Sequence, residues 1–312
     1  MKKLWAAGLF ASAVFAAGAP VREVQSECPA IANQPVCQFR NGYMFQFDRV
    51  VNRVIRVYAP DGHFTVNLPI QLPHADVSWP YDVAVDADGT FAASAGGGDG
   101  DVRHVTQFGV AMFDANGIQT GVIDTKNFSP NHVAIAGDHS IWVLGSQSGP
   151  RNKQDYTILR KYTRDGKLAG SYLPRSTFPA GLEPGGASVP ATVMAAGNRI
   201  AVVAFSGNVG NRLELIELDG DGNVLGWMRS DNQNSINFAL TTDGHLYGWY
   251  GLGSAKSNLF LFDVAAGTLT SMDAPQSVGW LMGADEESLV FRMRGEEGQT
   301  KAGWFNQPGA SR

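Results

Sequence analysis

Short runs of alternating apolar and polar residues, separated by turn-forming residues, recur along most of the chain. The clearest copy opens with the run PYDVAVD at 80–86, turns at the Asp-Gly pair 88–89 and continues with a second apolar run. A glycine-rich loop at 96–101 leads to two further runs around the Asn-Gly pair 116–117. A period of two predicts half-buried β-strands, and Asp-Gly or Asn-Gly between two runs predicts a tight hairpin.

This four-strand unit returns six times, which predicts an all-β fold. The glycines of its second turn recur with an average spacing of about 49 residues, a period typical of propeller blades. They stand at positions 62, 117, 166, 222, 267 and 309. We therefore predict a six-bladed β-propeller with four-stranded antiparallel blades, and a two-sheet sandwich is the alternative that six copies disfavour.

The two ends of the chain complement each other. The last unit has room for three strands before the chain ends at Arg312, whereas an extra extended stretch, Val21–Gln25, precedes the first unit. Pairing that stretch into the last blade would close the ring and remove an exposed sheet edge. We therefore predict that an N-terminal strand joins the last blade.

The first residues resemble a secretory signal peptide. Lys2 and Lys3 precede an apolar stretch at 4–17, and small residues follow, so cleavage is expected between residues 16 and 19. The stretch is shorter than the roughly 20 residues that span a bilayer, although an uncleaved anchor stays open. We predict a signal peptide at 1–19, a single propeller domain at 20–312, a secreted or periplasmic protein, and no membrane insertion after cleavage.

The two cysteines, Cys28 and Cys37, both lie in the N-terminal part of the mature chain. In an oxidising compartment an even pair this close predicts a disulfide, and two free thiols are the alternative.

Charge argues against one class of partner. The net charge of −5 becomes −7 when Lys2 and Lys3 leave with the signal peptide, and no basic cluster offsets it. Nucleic-acid binding needs clustered Lys and Arg, so it is excluded. We expect a monomer.

Two segments carry a resemblance to known proteins. The run Pro80–Asp86 with Asp88-Gly89, and the later run Phe113–Gly117 (FDANG), resemble the NHL-type repeat. The mature chain resembles the group of six-bladed propellers that includes NHL, senescence-marker (gluconolactonase-like) and TolB-like proteins. The resemblance implies the fold, and in lactonase-like members Glu, Asn and Asp side chains at the channel bind a metal. The Glu of that set has no counterpart at a blade entry here.

One position in each first strand is expected at the mouth of the central channel. We call the face where these strands begin the top face. We call these aligned positions the column; in blades two to six they are Asp82, His132, Thr192, Asn237 and Gly279. We predict that the polar residues of the column bind a ligand, together with the neighbouring Trp79.

Asp82, His132 and Asn237 could together bind a divalent cation, Ca²⁺ or Zn²⁺, although no cofactor is certain from the sequence. Alternatively, these side chains hydrogen-bond to channel water and to neighbouring backbone. His74, in the loop leading into blade two, and His132 are the candidates for proton transfer.

These observations favour an exported binding module whose top face and channel mouth engage a small ligand, a glycan or a partner protein. The alternative is a metal-dependent hydrolase, lactonase-like, or a lyase, with a single cation at the channel mouth.

Overall fold

The computed structural model describes residues 19–30, 37–48, 53–101, 104–147, 155–178, 191–206, 212–230, 237–250, 258–275, 277–285, 288–293 and 298–307. Within these residues the chain forms 24 β-strands and one 3-10 turn, Arg175–Thr177. The first 18 residues of the predicted signal peptide lie outside them. No helix in the described part of the chain has the length and apolarity that crossing a bilayer requires.

The strands form six four-stranded antiparallel sheets, which are the blades of a propeller. Blades one to three contain β2 (Cys37–Arg40), β3 (Tyr43–Asp48), β4 (Val54–Tyr58) and β5 (Phe64–Pro69); β6 (Val77–Val85), β7 (Phe91–Gly98), β8 (Val105–Phe113) and β9 (Gln119–Asp124); and β10 (Phe128–Ile135), β11 (Ile141–Gln147), β12 (Thr157–Tyr162) and β13 (Leu168–Pro174).

The second half of the ring repeats this order and ends with a strand from each end of the chain. Blades four to six contain β14 (Thr192–Ala196), β15 (Arg199–Ser206), β16 (Arg212–Leu218) and β17 (Val224–Ser230); β18 (Asn237–Leu240), β19 (Leu246–Tyr250), β20 (Asn258–Asp263) and β21 (Thr268–Asp273); and β22 (Val278–Asp285), β23 (Ser288–Met293), β24 (Gly298–Asn306) and β1 (Arg22–Ala30). The predicted all-β, six-bladed propeller is confirmed.

The apolar core is divided into six layers, one between each pair of neighbouring blades of the described chain. Alternate residues of one strand therefore face opposite neighbours. Val83 packs in the layer between blades one and two, whereas Ala84 packs between blades two and three. Burial on both faces explains why many strands are almost continuously apolar.

The strand β1 completes the last blade. It pairs antiparallel with β24, from Arg22 opposite Trp304 to Ala30 opposite Gly298. The predicted disulfide between Cys28 and Cys37 is confirmed, with 6.6 Å between the two Cα atoms. The bridge joins β1 in the last blade to the first strand of blade one, so it fastens the two ends of the ring together.

The glycine-rich segment differs from the loop that the sequence predicts. Gly96, Gly97 and Gly98 belong to β7, and they pair with Trp79, Ser78 and Val77. A Cβ on Gly97 would lie 2.6 Å from the Cβ of Ala75. The glycines are therefore needed for close packing beneath the loop that enters blade two, and the strand extends to the top face.

Candidate functional site

The first strands of the six blades surround a cavity of about 1130 Å³ on the propeller axis. Blades two to five contribute the predicted column residues, while in blade six two register shifts bring Leu281, not Gly279, to the wall. The predicted ligand-binding residues that line the cavity are Trp79, Asp82, His132, Thr192 and Asn237.

Register shifts in the first strands of blades two and three place Asp82 and His132. One lies between Pro80 and Asp82, and the other lies between Pro130 and His132. Proline has no N–H to donate to a ladder, so it is tolerated beside such an irregularity. An extra residue in one strand redirects the side chains that follow it, and here both side chains reach the cavity wall.

Asp82 is held by four hydrogen bonds. Its Oδ1 accepts from Arg40 Nη2 at 3.0 Å and from the N–H of Val83 at 2.9 Å. Its Oδ2 accepts from Arg40 Nη2 at 3.2 Å and from the N–H of Val133 at 3.1 Å. Only 3% of the Asp82 side chain is exposed, so the carboxylate is fixed in place and its charge is offset by Arg40.

The electrostatic environment keeps Asp82 ionised. Burial alone would raise its pKa, but the Arg40 guanidinium, His132 and the backbone N–H of Val133 outweigh burial and lower the pKa below its usual range. Arg40 also donates from Nη1 to the carbonyl oxygen of Val133 at 2.8 Å. The guanidinium thus connects the first strands of blades one, two and three.

His132 lies next to this ion pair, in the wall of the cavity. Its Nδ1 is 3.7 Å from Asp82 Oδ2, and 17% of its side chain is exposed. Its Nε2 is buried and makes no hydrogen bond to any described residue, and the same holds for Oε1 of Gln38. Both residues line the cavity. Buried polar atoms ordinarily have hydrogen-bond partners, so these two atoms, like the buried indole nitrogen of Trp249, are exceptions among the described residues.

Thr192 and Asn237 complete the polar part of the wall. Asn237 Nδ2 donates to the carbonyl oxygen of Leu281 at 3.1 Å, and Thr192 Oγ1 lies 3.5 Å from the carbonyl oxygen of Val193. Both side chains therefore interact with backbone, while remaining partly exposed to the cavity.

Trp79 lies at the top-face end of the cavity. Its ring centroid is 5.8 Å from the guanidinium carbon of Arg53, which enters the cavity wall from blade one. Only 7% of Trp79 is exposed, so most of the indole packs against protein. This geometry is that of a cation–π contact.

His74 lies apart from the other candidates. It is exposed and lines a separate cleft of about 490 Å³ together with Gln107 and Lys126. The structure therefore brings His132, and not His74, next to Asp82. The repeat fixed the strand positions, whereas His74 stands in a connecting loop whose path the repeat does not specify.

Asp82, the anionic member of the predicted cation site, is already engaged in an ion pair with Arg40. Among the described residues, no three His, Cys, Asp or Glu side chains gather as metal ligands. The carboxylate of Asp82 is already bound by Arg40 and two backbone N–H groups. A cation placed on Asp82 would lie beside the guanidinium, whose like charge opposes it.

Arg40 is a residue of the cavity wall that the sequence did not lead us to predict. It is the last residue of β2, before the turn at Asn41-Gly42, so it lies outside the aligned column. Its long side chain reaches Asp82 at the level of the column. A buried carboxylate needs a cation within reach, and an arginine on a neighbouring first strand was the signal available in the sequence.

The comparisons with known proteins bear on the fold. No protein-family model matches the chain, and no curated protein matches it. A protein of unknown function from Dyadobacter fermentans is similar with a TM-score of 0.55, over 92% of this chain and 98% of that one, at 12% identity. A protein of unknown function from Bacteroides caccae gives 0.50, over 80% and 82%, at 11% identity.

The calcium-binding protein regucalcin from Agrobacterium tumefaciens is similar over 96% of this chain and 95% of that one, with a TM-score of 0.48 and 12% identity. At identities this low a structural likeness extends to the fold and not to the activity. The repeat predicts six four-stranded blades, and the structure contains them. This protein is therefore a six-bladed β-propeller.

Proposed function

We propose that the protein is a binding module that holds a small ligand in its axial cavity, against Asp82 and His132. The observation that carries this proposal is the buried Nε2 of His132, which has no partner among the described residues and belongs to the wall of the cavity. A ligand that donates a hydrogen bond to this nitrogen, once the imidazole ring turns toward the cavity, would satisfy it.

The size and position of the cavity support a small molecule over a macromolecule. Its volume of about 1130 Å³ is at the upper end of ordinary small-molecule sites. The polar atoms that need a partner are buried inside the ring, where a folded partner protein cannot reach them. A glycan would enter as a short, terminal piece.

Binding is favoured over metal-dependent hydrolysis because the charge of Asp82 is already offset by Arg40. Arg40 compensates Asp82, and a carboxylate with four hydrogen bonds is a poor ligand for a catalytic cation. The cluster is suited to orienting a ligand, since each of its members is fixed by a neighbouring blade.

We also propose that the protein works outside the cytoplasm, secreted or in the periplasm. The signal-like first residues support this, and so does the Cys28–Cys37 disulfide, a bond that persists in oxidising compartments. Such a protein would meet ligands from the medium and not from metabolism inside the cell.

Ligand-observed saturation-transfer NMR tests the proposal. The panel would contain monosaccharides, aldonic acids, lactones, amino acids and simple phenols. We expect at least one class to bind, and we expect His132→Phe to weaken that binding by about tenfold or more, because the acceptor atom is removed. His63→Phe is the matched control, since 72% of the His63 side chain is exposed at a peripheral turn.

Elemental analysis distinguishes the binding module from the metal-dependent hydrolase. The protein would be incubated with Ca²⁺ or Zn²⁺, desalted and compared with Asp82→Ala and His132→Ala. Stoichiometric metal that either variant loses, together with hydrolysis of a lactone from the panel, would favour the metal-dependent hydrolase and contradict the binding module. Binding to the parent that His132→Phe leaves unchanged would contradict the site.

A further inference from the structure

The axial cavity has a second section with different chemistry. Each first strand runs from the top face inward, at about 3.3 Å per residue. Three positions beyond Asp82, His132, Thr192, Asn237 and Leu281, or roughly 10 Å along the strand, each of blades two to six has an apolar residue among those that line the cavity. These residues are Val85, Ile135, Ala195, Leu240 and Ala284.

This apolar section is continuous around most of the ring. The residues come from five successive blades, and each is among those that line the cavity. The residues one position earlier in blades two, three and five are also apolar, namely Ala84, Ala134 and Ala239. Ala195 and Ala284 are partly exposed, whereas Val85, Ile135 and Leu240 are buried, so a ligand with an apolar part would release water chiefly from the two alanines.

The polar section favours an uncharged group. Arg40 already offsets the charge of Asp82, so neither a cation nor an anion gains a bare counter-charge from this pair. The carboxylate, 3.7 Å from Nδ1 of His132, favours the tautomer with the proton on that nitrogen. Nε2 then carries the lone pair; this nitrogen is buried, and it becomes available to a donor such as a hydroxyl group when the ring turns toward the cavity that His132 lines.

We propose that the cavity binds a small, uncharged, amphipathic molecule. Its aromatic or aliphatic part occupies the section lined by Val85, Ile135, Ala195, Leu240 and Ala284, and its hydroxyl or N–H group donates to Nε2 of His132. This inference rests on the proposed function and adds the chemical class of the ligand.

Fluorescence of N-phenyl-1-naphthylamine tests the apolar section. The probe is neutral, carries an N–H group and brightens in apolar surroundings. We expect saturable binding to the parent protein, and we expect Ala195→Phe and Ala284→Phe each to weaken it by about tenfold, because the added ring occupies the space of the probe. Both alanines are partly exposed in the cavity wall, on blades four and six.

Ala169→Phe is the matched control, because Ala169 is exposed on the outer strand β13. Circular dichroism and thermal unfolding of each variant confirm that it is folded, and two filled variants on different blades keep the test valid if one of them fails. The proposal that an apolar group of the ligand binds here would be overturned by either of two results. The parent protein would show no saturable fluorescence, or Ala195→Phe and Ala284→Phe would bind the probe as tightly as the parent does.

Displacement of the probe by two matched compounds tests whether the ligand donates a hydrogen bond to His132. The phenol 4-butylphenol has a hydroxyl donor, and 4-butylanisole has the same body without it. At pH 8 we expect the phenol to displace the probe at roughly tenfold lower concentration than the anisole, and His132→Phe to remove this preference. Equal potency of the two compounds on the parent would overturn the donor part.

The outcomes separate the two proposals. If sugars or aldonic acids bind through His132 while the naphthylamine does not bind, the binding module stands and the amphipathic ligand is wrong. If no member of the panel depends on His132 and the phenol has no advantage, the proposed function fails as well.

Discussion

Replacing Asp82 with alanine is expected to lower the free energy of unfolding by about 3 kcal/mol, measured by urea denaturation. The variant would leave the Arg40 guanidinium, 22% exposed, without its counter-ion, and it would leave the N–H groups of Val83 and Val133 without their acceptor. Removing one member of a buried, hydrogen-bonded pair is among the few single changes that destabilise a protein this strongly.

Two further variants control this result. The double variant Arg40→Met with Asp82→Ala should recover part of the loss, because no unpaired charge then remains in the cavity wall. Asp273→Ala, at an exposed position of β21, should change the stability by less than about 0.5 kcal/mol. If Asp82→Ala changed the free energy of unfolding no more than Asp273→Ala does, the ion pair would not contribute to stability.

The same carboxylate should make stability depend on pH in a defined direction. The folded pKa of Asp82 lies below its ordinary value of 3.8, so its stabilising contribution is complete above that value and is lost as the pH falls through the folded pKa. The stability difference between the parent and Asp82→Asn should therefore narrow between about pH 5 and pH 2.5. A difference that stayed constant would mean that the pKa of Asp82 is the same in the folded and the unfolded chain.

Removing residues 19–25 is expected to lower the melting temperature by roughly 10 °C. The residues of β1 up to Gln25 pair with β24 opposite Trp304 to Lys301, and Arg22 lies over the Trp304 ring at 4.5 Å. Without them the last blade would lose the first part of its fourth strand, and that part of the sheet edge would be exposed. Differential scanning calorimetry measures the effect directly.

The matched control keeps the strand and removes one surface contact of it. Glu23→Ala breaks only the ion pair of Glu23 with Lys301, whose atoms are 2.8 Å apart and partly exposed, and it should shift the melting temperature by less than about 2 °C. An unchanged melting temperature for the shortened chain would show that ring closure by β1 does not stabilise the propeller.

The sequence predicted the fold because each blade repeats the same local signals. Turns such as Asp88-Gly89 and Asn116-Gly117 need the positive φ that glycine adopts, and the structure has φ of +81° and +75° at Gly89 and Gly117. Their regular spacing fixed the number of blades. The glycine run at 96–98 was wrongly predicted to be a loop. Glycine also occurs where a strand packs closely against a neighbouring loop, as Gly97 does here.

The site was predicted in part, for reasons of the same kind. Residues that hold the same place in each blade, such as Asp82 and His132, could be aligned, and the structure brings both to one wall. Arg40 and Leu281 could not be aligned in this way. Arg40 reaches Asp82 through its long side chain, and Leu281 lies in a strand with register shifts. His74 lies in a connection that does not repeat, so its path was not predictable from the pattern.

The side-chain ¹⁵N spectrum of the histidines measures most directly whether a ligand meets His132 inside the channel. The chain has six histidines, and comparison with His132→Phe assigns the resonance of interest. On addition of the tightest binder from the panel, we expect the Nε2 signal of His132 to shift while the other five histidines stay unchanged. A bound ligand that leaves the His132 signal in place would contradict the axial binding site.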